Sequence, residues 1–302
     1  MIALQRILVP HDLSEPATAA LTCGATLARS FGARCDVLHV TSRGGIEQGP
    51  PQRDQTLETA VRQYLHERGY AAQVEPVFEY RYGMPADAIS HYAKEQNIDL
   101  IVIGTHGRGA LAHAMLGSVA EKVVRNAPCP VLTVRSQQAN FLGRNILVPT
   151  DFEAASESAL TYGRTLAGIF GARLHVLHVM ENHFLRAMSA DPHELAARFR
   201  QRLHDRLTDN DRRALHATVA LDVSDQPAQA IVDYATNMRI DFIVMGTHGR
   251  HAMDRLLMGS VAERVVRTAP CPVLTVRCPE REFVDGVGAE DAPHVRAQSP
   301  GR

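Results

Sequence analysis

The sequence predicts two successive α/β domains, each with a parallel β-sheet covered by helices on both faces. Three observations lead to this prediction. The chain has 302 residues, which at about 150 residues per domain suggests two domains. The chain repeats itself once along its length. Within each repeat, short apolar segments of β type alternate with segments of helical periodicity, which is typical of parallel strands joined by crossover helices.

The internal repeat is visible both in short segments and in one long segment. Ile7–Pro10 returns as Ile146–Pro149, with the same residues. Ile98–Arg135 aligns with Ile240–Arg277 without a gap, and about 27 of the 38 positions are identical. Because the period is about 140 residues, each copy is a whole domain rather than one unit of a solenoid.

The predicted domains are residues 1–137 and 144–278, and residues 279–302 are predicted to be a disordered tail. The stretch between the two domains is short and polar and contains a glycine. The tail has few large apolar residues and several glycines, prolines and charged residues, so it cannot bury enough apolar surface to offset the entropy of ordering.

The elements of the two copies follow the same order. In the first copy the predicted strands are Ile7–Pro10, Cys35–Val40, Gln73–Phe78, Leu100–Gly104 and Val131–Val134. Its predicted helices are Glu15–Phe31, Asp54–Arg68, Pro85–Gln96 and Ser118–Asn126. The second copy has predicted strands Asn145–Pro149, Leu174–Val179, His216–Val223, Phe242–Gly246 and Val273–Val276, and predicted helices Ala155–Phe170, Asp191–Leu207, Pro227–Asn237 and Ser260–Thr268. Strands that are apolar at consecutive positions fit burial on both faces. In such sheets ligands bind beyond the strand carboxyl ends, where the strand order reverses.

Composition argues against several classes of function. The net charge is -1 and the pI is near 7.0, which does not provide the basic excess that nucleic-acid binding requires. We find neither a signal peptide nor an apolar stretch of about 18 residues, so we expect a cytoplasmic protein without a membrane span. Without a paired C-x-x-C motif, we expect buried, reduced thiols at Cys23, Cys35, Cys129 and Cys271.

A glycine pattern after the fourth strand of each copy indicates a site for a ligand with phosphate groups. Gly104 ends the strand and Gly107 follows in the loop. After nine intervening residues, Gly117 and Ser118 stand at the start of a helix. A strand that ends on glycine lets the backbone approach a ligand closely. The helix start offers free N–H groups and the positive end of the dipole to a phosphate. The serine hydroxyl either caps the helix or donates to a phosphate oxygen. The second copy repeats this spacing.

An aspartate follows the first strand of each copy, at Asp12 and Asp151. Its carboxylate could accept a hydrogen bond from a base amino group or a ribose hydroxyl. Alternatively it caps the turn or helix that follows. With the glycine pattern at the same end of the sheet, we favour contact with a ligand.

These residues together resemble the universal stress protein family, over nearly the whole chain apart from the tail. The resemblance rests on the V-P-x-D first strand, the T-H-G-R loop, the G-x-x-G, nine residues, G-S spacing and the P-C-P-V-L-T-V-R last strand, each present twice. In that family this glycine pattern marks members that bind ATP. The resemblance implies a five-stranded parallel sheet of order 3-2-1-4-5 with helices on both sides.

The resemblance also implies contact residues, most of them acting through the backbone. In the first copy the adenine and ribose contacts would be Pro10, His11, Asp12, Val40, Ile103 and Gly104, and the phosphate contacts would be Gly107, Arg108, Gly117, Ser118 and Val119. In the second copy the implied set is Pro149, Thr150, Asp151, Val179, Met245, Gly246, Gly249, Arg250, Gly259, Ser260 and Val261. The implied cofactor is ATP, with Mg²⁺ supplied together with the triphosphate.

The two copies depart from each other at several positions. His11 stands where the second copy has Thr150, and a small polar residue is more usual there. Glu153 replaces Ser14, and a carboxylate would repel a triphosphate unless it turns to solvent or helps to hold a cation. Arg255 lies in the second glycine loop and could add a charge-assisted phosphate contact, whereas the first loop has no cation. We therefore expect unequal affinities.

Metal and enzyme interpretations receive less support. His11, His39 and His106 fall at predicted strand ends on one side of the first sheet, but their spacing matches no zinc motif, and we interpret them as ordinary strand-end and loop histidines. The motifs of dedicated phosphoryl transfer are absent from the sequence. Slow ATP hydrolysis, or self-phosphorylation at Ser118 or Ser260, stays open.

The leading hypothesis is a stress-response or regulatory protein that senses an adenine nucleotide. The last strands of the two copies are apolar edges, which pair across a two-fold axis in the family, so we expect the copies to pair as an intramolecular pseudo-dimer. Pairing of two whole chains is left open. The alternatives are a slow ATPase, a scaffold with one vestigial site, and a related fold such as an electron-transfer flavoprotein subunit.

Overall fold

A computed structural model describes residues 4–41, 53–105, 116–138, 143–182, 191–247 and 258–277. Within these ranges it has ten strands, nine α-helices and a short 3₁₀ helix, Ser136–Gln138. The strands are β1 Arg6–Pro10, β2 Arg34–Thr41, β3 Pro76–Tyr82, β4 Leu100–Gly104, β5 Val131–Val134, β6 Asn145–Pro149, β7 Arg173–Met180, β8 Thr218–Val223, β9 Phe242–Gly246 and β10 Val273–Val276. The helices are α1 Glu15–Phe31, α2 Gln55–Glu67, α3 Pro85–Glu95, α4 Ser118–Asn126, α5 Ala154–Phe170, α6 Pro192–Asp205, α7 Asp209–Ala214, α8 Pro227–Asn237 and α9 Ser260–Thr268.

The strands form one sheet of ten in the order β3-β2-β1-β4-β5-β10-β9-β6-β7-β8. Each half is parallel throughout and has its five strands in the order 3-2-1-4-5. The predicted fold class, two tandem doubly wound α/β domains, is therefore confirmed. No helix within the described ranges is both long enough and apolar enough to span a bilayer.

The two halves join through β5 and β10, which pair antiparallel with Leu132 opposite Leu274. The hydroxyl of Thr133 donates to the carbonyl of Val273 at 3.1 Å, and the hydroxyl of Thr275 donates to the carbonyl of Val131 at 3.0 Å. These reciprocal bonds follow the pseudo-two-fold relation of the repeats. The predicted intramolecular pairing is confirmed, and it covers two apolar edges that would otherwise be free to pair elsewhere.

Side chains alternate between the two faces of the sheet, and each face has a core that runs through both halves. Ile7 and Val9 lie in the core with α1 and α2, whereas Leu8 lies in the core with α3 and α4. Both cores continue into the second half, as in the alternation of Val148 and Leu147 on β6. Strands covered on both faces must be apolar at nearly every position, as the sequence has them.

The helix α1 lies close over the sheet because small residues face it. Adding a Cβ at Gly24 would place it 2.6 Å from a methyl of Val9, and Gly163 of α5 crowds Val148 in the same way. The N-terminus of α1 is capped by Ser14, whose hydroxyl accepts from the N–H of Ala17, with a proline in the first turn. Its C-terminus ends at Gly32 with φ 65°, which a glycine adopts without steric cost.

Most predicted bounds agree with the structure to within two residues, and two elements differ further. β3 was expected at Gln73–Phe78 but begins at Pro76, because Gln73 and Val74 close a turn on the carbonyl of Tyr70. Val74 lies in this turn with its side chain buried. A buried apolar residue has the same sequence pattern in a turn as in a strand, which explains the misplaced start. The predicted helix ending at Leu207 is followed by a second helix, Asp209–Ala214, which starts in a capping box between Thr208 and Asp211.

Equivalent positions of β2 and β7 bury different polar groups. Asp36 is fully buried and accepts from Arg6 at 2.8 Å and from the hydroxyl of Tyr92 at 3.0 Å. Its counterpart His175 is also buried. The Nδ1 atom of His175 lies 3.1 Å from the hydroxyl of Tyr234 and 3.3 Å from that of Thr218, while Nε2 has no hydrogen-bond partner among the described residues.

We expect the second half to lose stability in mild acid because of His175. Burial, together with the nearby Arg173, lowers the pKa of His175 below 6.5. The unfolded chain therefore takes up this proton before the folded chain does, and stability falls as the pH drops through 6.5 toward the lower folded value. Chemical denaturation at pH 7.5 and pH 5.5 measures the loss, and His175→Gln should reduce it. An equal acid sensitivity in this variant would assign the loss to other groups.

Candidate functional site

The candidate site of each half lies at the carboxyl ends of its strands. In the order 3-2-1-4-5, the direction of winding reverses between the first and fourth strands of each half, here β1 and β4, or β6 and β9. The crossover connections on either side of this point leave to opposite faces, which opens a crevice beyond the strand ends. The turns after these strands and the start of the following helices are therefore the elements that build the site.

The turn after β1 is held by its own side chains. Leu13 has φ 65°, and its N–H donates to Nδ1 of His11 at 3.1 Å. The N–H of Ser14 donates to the carboxylate of Asp12 at 3.0 Å. The ring of His39 donates from Nδ1 to the carbonyl of His11 at 2.8 Å. This network fixes the backbone at the point where the first strand leaves the sheet.

The second half builds the same turn with different residues. The hydroxyl of Thr150 accepts from the N–H of Phe152 at 3.0 Å, and Phe152 has φ 67°. Asp151 accepts from the N–H of Glu153 at 3.1 Å, and the Nδ1 atom of His178 lies 2.7 Å from the carbonyl of Thr150. Imidazole Nδ1 in the first half therefore plays the part of the threonine hydroxyl in the second. The departure at His11 preserves the turn geometry.

The two aspartates thus have the turn-stabilising role that the sequence left as an alternative. Each accepts a backbone N–H two residues further along the chain, which is the bond of an Asx turn. Both side chains are half-buried. Glu153, which raised the question of repulsion, is exposed. Ligand contact by Asp12 and Asp151 stays a prediction.

Gly104 and Gly246, which end the fourth strands, have a packing role that the sequence did not reveal. A Cβ at Gly104 would lie 2.6 Å from the carbonyl carbon of Pro16 in α1. A Cβ at Gly246 would lie 2.8 Å from the same atom of Ala155 in α5. The direction in which a side chain would project is filled by a helix, and contact of a ligand with the backbone of these glycines stays a prediction.

We predict that Gly104→Ala destabilises the protein by about 1–3 kcal/mol, the range for overpacking a close-packed core. The backbone of α1 must move because the new methyl would overlap it. Thermal and urea denaturation measure the loss. The matched control is Gly168→Ala within α5, where a Cβ meets nothing within 4 Å and helix propensity should improve. Equal stability of the two variants would refute the packing role.

The helix that follows the glycine loop is anchored to the end of the fourth strand. The N–H of Thr105 donates to the carbonyl of Val134 at 2.9 Å, and the carbonyl of Thr105 accepts from the N–H of Gly117 at 2.6 Å. Thr247 makes the same two bonds to Val276 and Gly259, at 2.9 and 2.7 Å. The threonine of the T-H-G-R motif thus places the start of α4 and of α9 beside the strand end. Sequence reasoning missed this anchor, although both copies contain the threonine.

The first turn of α4 has no side-chain cap. Gly117 is the N-cap and has no side chain to cap the helix, so Ser118 is the first helical residue rather than the cap. Ser260 stands in the same place after Gly259. Both serines are exposed. Helix geometry leaves the first N–H groups without an intrahelical acceptor. Together with the serine hydroxyl, these groups favour the binding of an anion at the start of the helix.

Apolar residues form the wall between the strand ends and this helix. Ile103 is buried at the end of β4, and Val40 and Val119 pack against the same core. Met245, Val179 and Val261 form the same set in the second half, and Pro10 and Pro149 are buried at the ends of β1 and β6. The structure therefore brings these predicted residues to one end and one face of the sheet.

The predicted loop contacts Gly107, Arg108, Gly249 and Arg250 lie outside the described residues, as does His106. The described ranges gather no group of three or more His, Cys, Asp or Glu side chains that could hold a metal ion. Burial raises the pKa of Cys23 and Cys35 to about 12 and of Cys271 beyond its ordinary range, and these thiols are unreactive at neutral pH.

Fold and candidate site together define a tandem, doubly wound α/β protein with an equivalent crevice in each half. The model of the universal stress protein family matches residues 3–135 and 143–277. The chain belongs to the universal stress protein family.

Relatives and solved structures agree with this membership. Universal stress protein Rv2005c of Mycobacterium tuberculosis is 27% identical over 289 residues, covering 90% of this chain and 96% of its own length. Universal stress protein MJ0531 of Methanocaldococcus jannaschii is 32% identical over 146 residues, which cover 47% of this chain and 86% of its own. A crystal structure of a universal stress protein from Archaeoglobus fulgidus superimposes with a TM-score of 0.64 at 22% identity, covering 90% and 98% of the two chains. That last similarity is one of fold.

Proposed function

We propose that this chain binds ATP at the crevice of each half and acts as a regulatory protein that responds to the nucleotide. The observation that carries the proposal is the repeated placement of a helix start beside the end of the fourth strand. In both halves a threonine carbonyl holds the N-cap glycine, at 2.6 Å for Gly117 and 2.7 Å for Gly259. The following N–H groups suit a phosphate chain because they combine free donors with the positive end of the helix dipole.

The rest of the crevice suits an adenosine moiety. An apolar wall, with the half-buried Val40 in the first half, offers a surface for a flat base. Asp12 lies at the end of the neighbouring strand, and a carboxylate there can accept from a ribose hydroxyl while it also holds its own turn. Pockets of this kind, mostly apolar with a few oriented polar groups, are typical of cofactor sites.

We expect the two sites to differ in affinity. The turns after β1 and β6 use His11 and Thr150 for the same backbone bond, so the difference should come mainly from the glycine loops. The second loop contains Arg255, and the first contains no corresponding cation. A guanidinium can form a charge-assisted bond to a phosphate oxygen, which favours the second site. A Mg²⁺ ion bound with the triphosphate needs few protein ligands.

Native mass spectrometry of the freshly purified chain, followed by acid extraction and identification of released nucleotide, tests the proposal. Two ATP per chain are expected, after addition of ATP and Mg²⁺ where the purified protein is empty. Uptake of ADP, AMP or a cyclic nucleotide in preference to ATP would refute the ATP assignment. No uptake of any nucleotide would refute the function and favour a scaffold.

The same sample tests the alternative of slow turnover. The exposed Ser118 and Ser260 hydroxyls at the helix starts are the groups that could accept a phosphoryl group. Release of ADP over time that disappears in the double variant Ser118→Ala and Ser260→Ala would assign this activity. Bound ATP that stays intact for hours would support a sensor without turnover.

A further inference from the structure

Arginines reach across the junction between the halves to the far ends of the two phosphate-site helices. Arg277 follows β10 in the second half, and its Nη1 donates to the carbonyl of Arg125 at 2.5 Å and to that of Ala127 at 3.3 Å. These carbonyls belong to the last turn and the C-cap of α4 in the first half. The side chain is half-buried, so solvent only partly screens this contact.

The first half makes the reciprocal contact. Ala269 is the C-cap of α9, and its carbonyl accepts from Nε2 of Gln138 at 3.0 Å and from Nη1 of Arg135 at 3.5 Å. Gln138 in turn accepts from the backbone N–H of Arg135 at 3.0 Å, which holds the two side chains together. Each helix of the proposed phosphate sites therefore ends on donors from the other half.

The terminal carbonyls of a helix have no intrahelical donor, and the negative end of the dipole favours a cation. An arginine at this place satisfies the carbonyls and fixes the position of a helix only nine residues long. The opposite end of the same helix begins at Ser118, after the N-cap Gly117. Because both ends belong to one helix of nine residues, we expect a shift at its C-terminus to displace the N–H groups at its N-terminus.

A second set of bonds connects each arginine to its own site. The residue before Arg135 is Val134, whose carbonyl accepts from Thr105, and Thr105 in turn accepts from Gly117. Val276, which precedes Arg277, stands in the same relation to Thr247 and Gly259 in the second half. Hydrogen bonds and the backbone of the chain thus link each site, through its arginine, to the helix of the other site.

We propose that Arg277 and Arg135 are positioning residues that act across the junction, each holding the phosphate-binding helix of the opposite half, so that the affinity of each nucleotide site depends on a residue of the other half. This inference rests on the proposed nucleotide binding. Arg277 makes two bonds to α4, whereas Arg135 shares one carbonyl with Gln138. Loss of Arg277 should therefore affect the first site more than loss of Arg135 affects the second.

The test uses the full chain with one site closed at a time. In a Gly259→Val background, where titration reports the first site, Arg277→Gln should weaken binding of ATP with Mg²⁺ about three- to tenfold, the effect of a partly buried charge at a helix end. In a Gly117→Val background the same substitution should leave the second site within about twofold. Arg277→Lys, which keeps the charge and a donor, should restore part of the affinity. Arg200→Gln is the matched control, because it makes an equal change of charge at an exposed position of α6. It should change the affinity of neither site.

The outcomes separate this inference from the proposed function. Equal weakening of both sites, or none at the first, would overturn the positioning role. Absence of nucleotide binding in the unaltered chain would refute the proposed function instead. In that case amide hydrogen exchange without ligand tests the positioning role. Arg277→Gln should speed exchange in α4 of the first half and leave exchange in α9 of the second half unchanged. Unchanged exchange in α4 would overturn the positioning role of Arg277.

Discussion

Replacing Gly117 with valine is expected to abolish nucleotide binding in the first half and to leave the second site occupied. Gly117 has φ -62° and ψ 142°, a conformation that any residue can adopt, so the substitution does not strain the backbone. The isopropyl group would stand at the N-cap of α4, where we expect it to obstruct the approach of a phosphate to the first N–H groups of the helix. Losing several charge-assisted bonds to phosphate at once should weaken binding at least ~100-fold.

Native mass spectrometry measures the result as a change from two bound ATP molecules per chain to one. Gly259→Val is the matched variant, since Gly259 has nearly the same backbone conformation, φ -62° and ψ 143°. It should remove the other nucleotide and leave the first. Two nucleotides retained in either variant would show that the phosphates do not lie at these helix starts. Equal thermal stability of the two variants serves as the folding control.

Most of the fold could be predicted because its elements are strongly periodic. The predicted limits of α1 and β4 agree with the structure, since a 3.6-residue period and a continuous apolar run each have one plausible interpretation. β3 was misplaced because Val74 is apolar but lies in a turn. The short helix Asp209–Ala214 was missed although Thr208 and Asp211 form a capping box, a signal readable from the sequence.

The candidate site was harder to predict because the type of a residue does not reveal where its side chain points or what it contacts. The sequence did not indicate that the missing side chain of Gly104 makes room for Pro16, and the ligand contact expected at this glycine stays a prediction. His11 seemed a departure from Thr150, although an imidazole nitrogen and a hydroxyl can accept the same bond. The contact of Arg277 with Ala127 spans 150 positions, and nothing in the local sequence around either residue indicates it.

We expect the junction between the halves to be highly sensitive to a buried charge. Leu274 is 1% exposed, faces Leu132 across the antiparallel pair and lies in the core shared by both halves. Leu274→Asp would remove a packed side chain and leave a carboxylate among apolar groups. Large-to-small core changes cost about 2–5 kcal/mol, and an unpaired buried charge adds several more, so a loss of at least ~4 kcal/mol is expected.

Separation of the halves would follow from the same change, because β5 and β10 each cover the apolar edge of the other. Urea denaturation should show the lower stability, and size-exclusion chromatography should show association through the uncovered edges. Val223→Asp is the control, since it places the same charge on β8 at a position that is 43% exposed, and it should change stability by less than about 1 kcal/mol. Wild-type stability in Leu274→Asp would mean that the halves fold independently of their junction. A single cooperative transition in the unaltered chain, lost in this variant, would show that the shared sheet makes the two halves one folding unit.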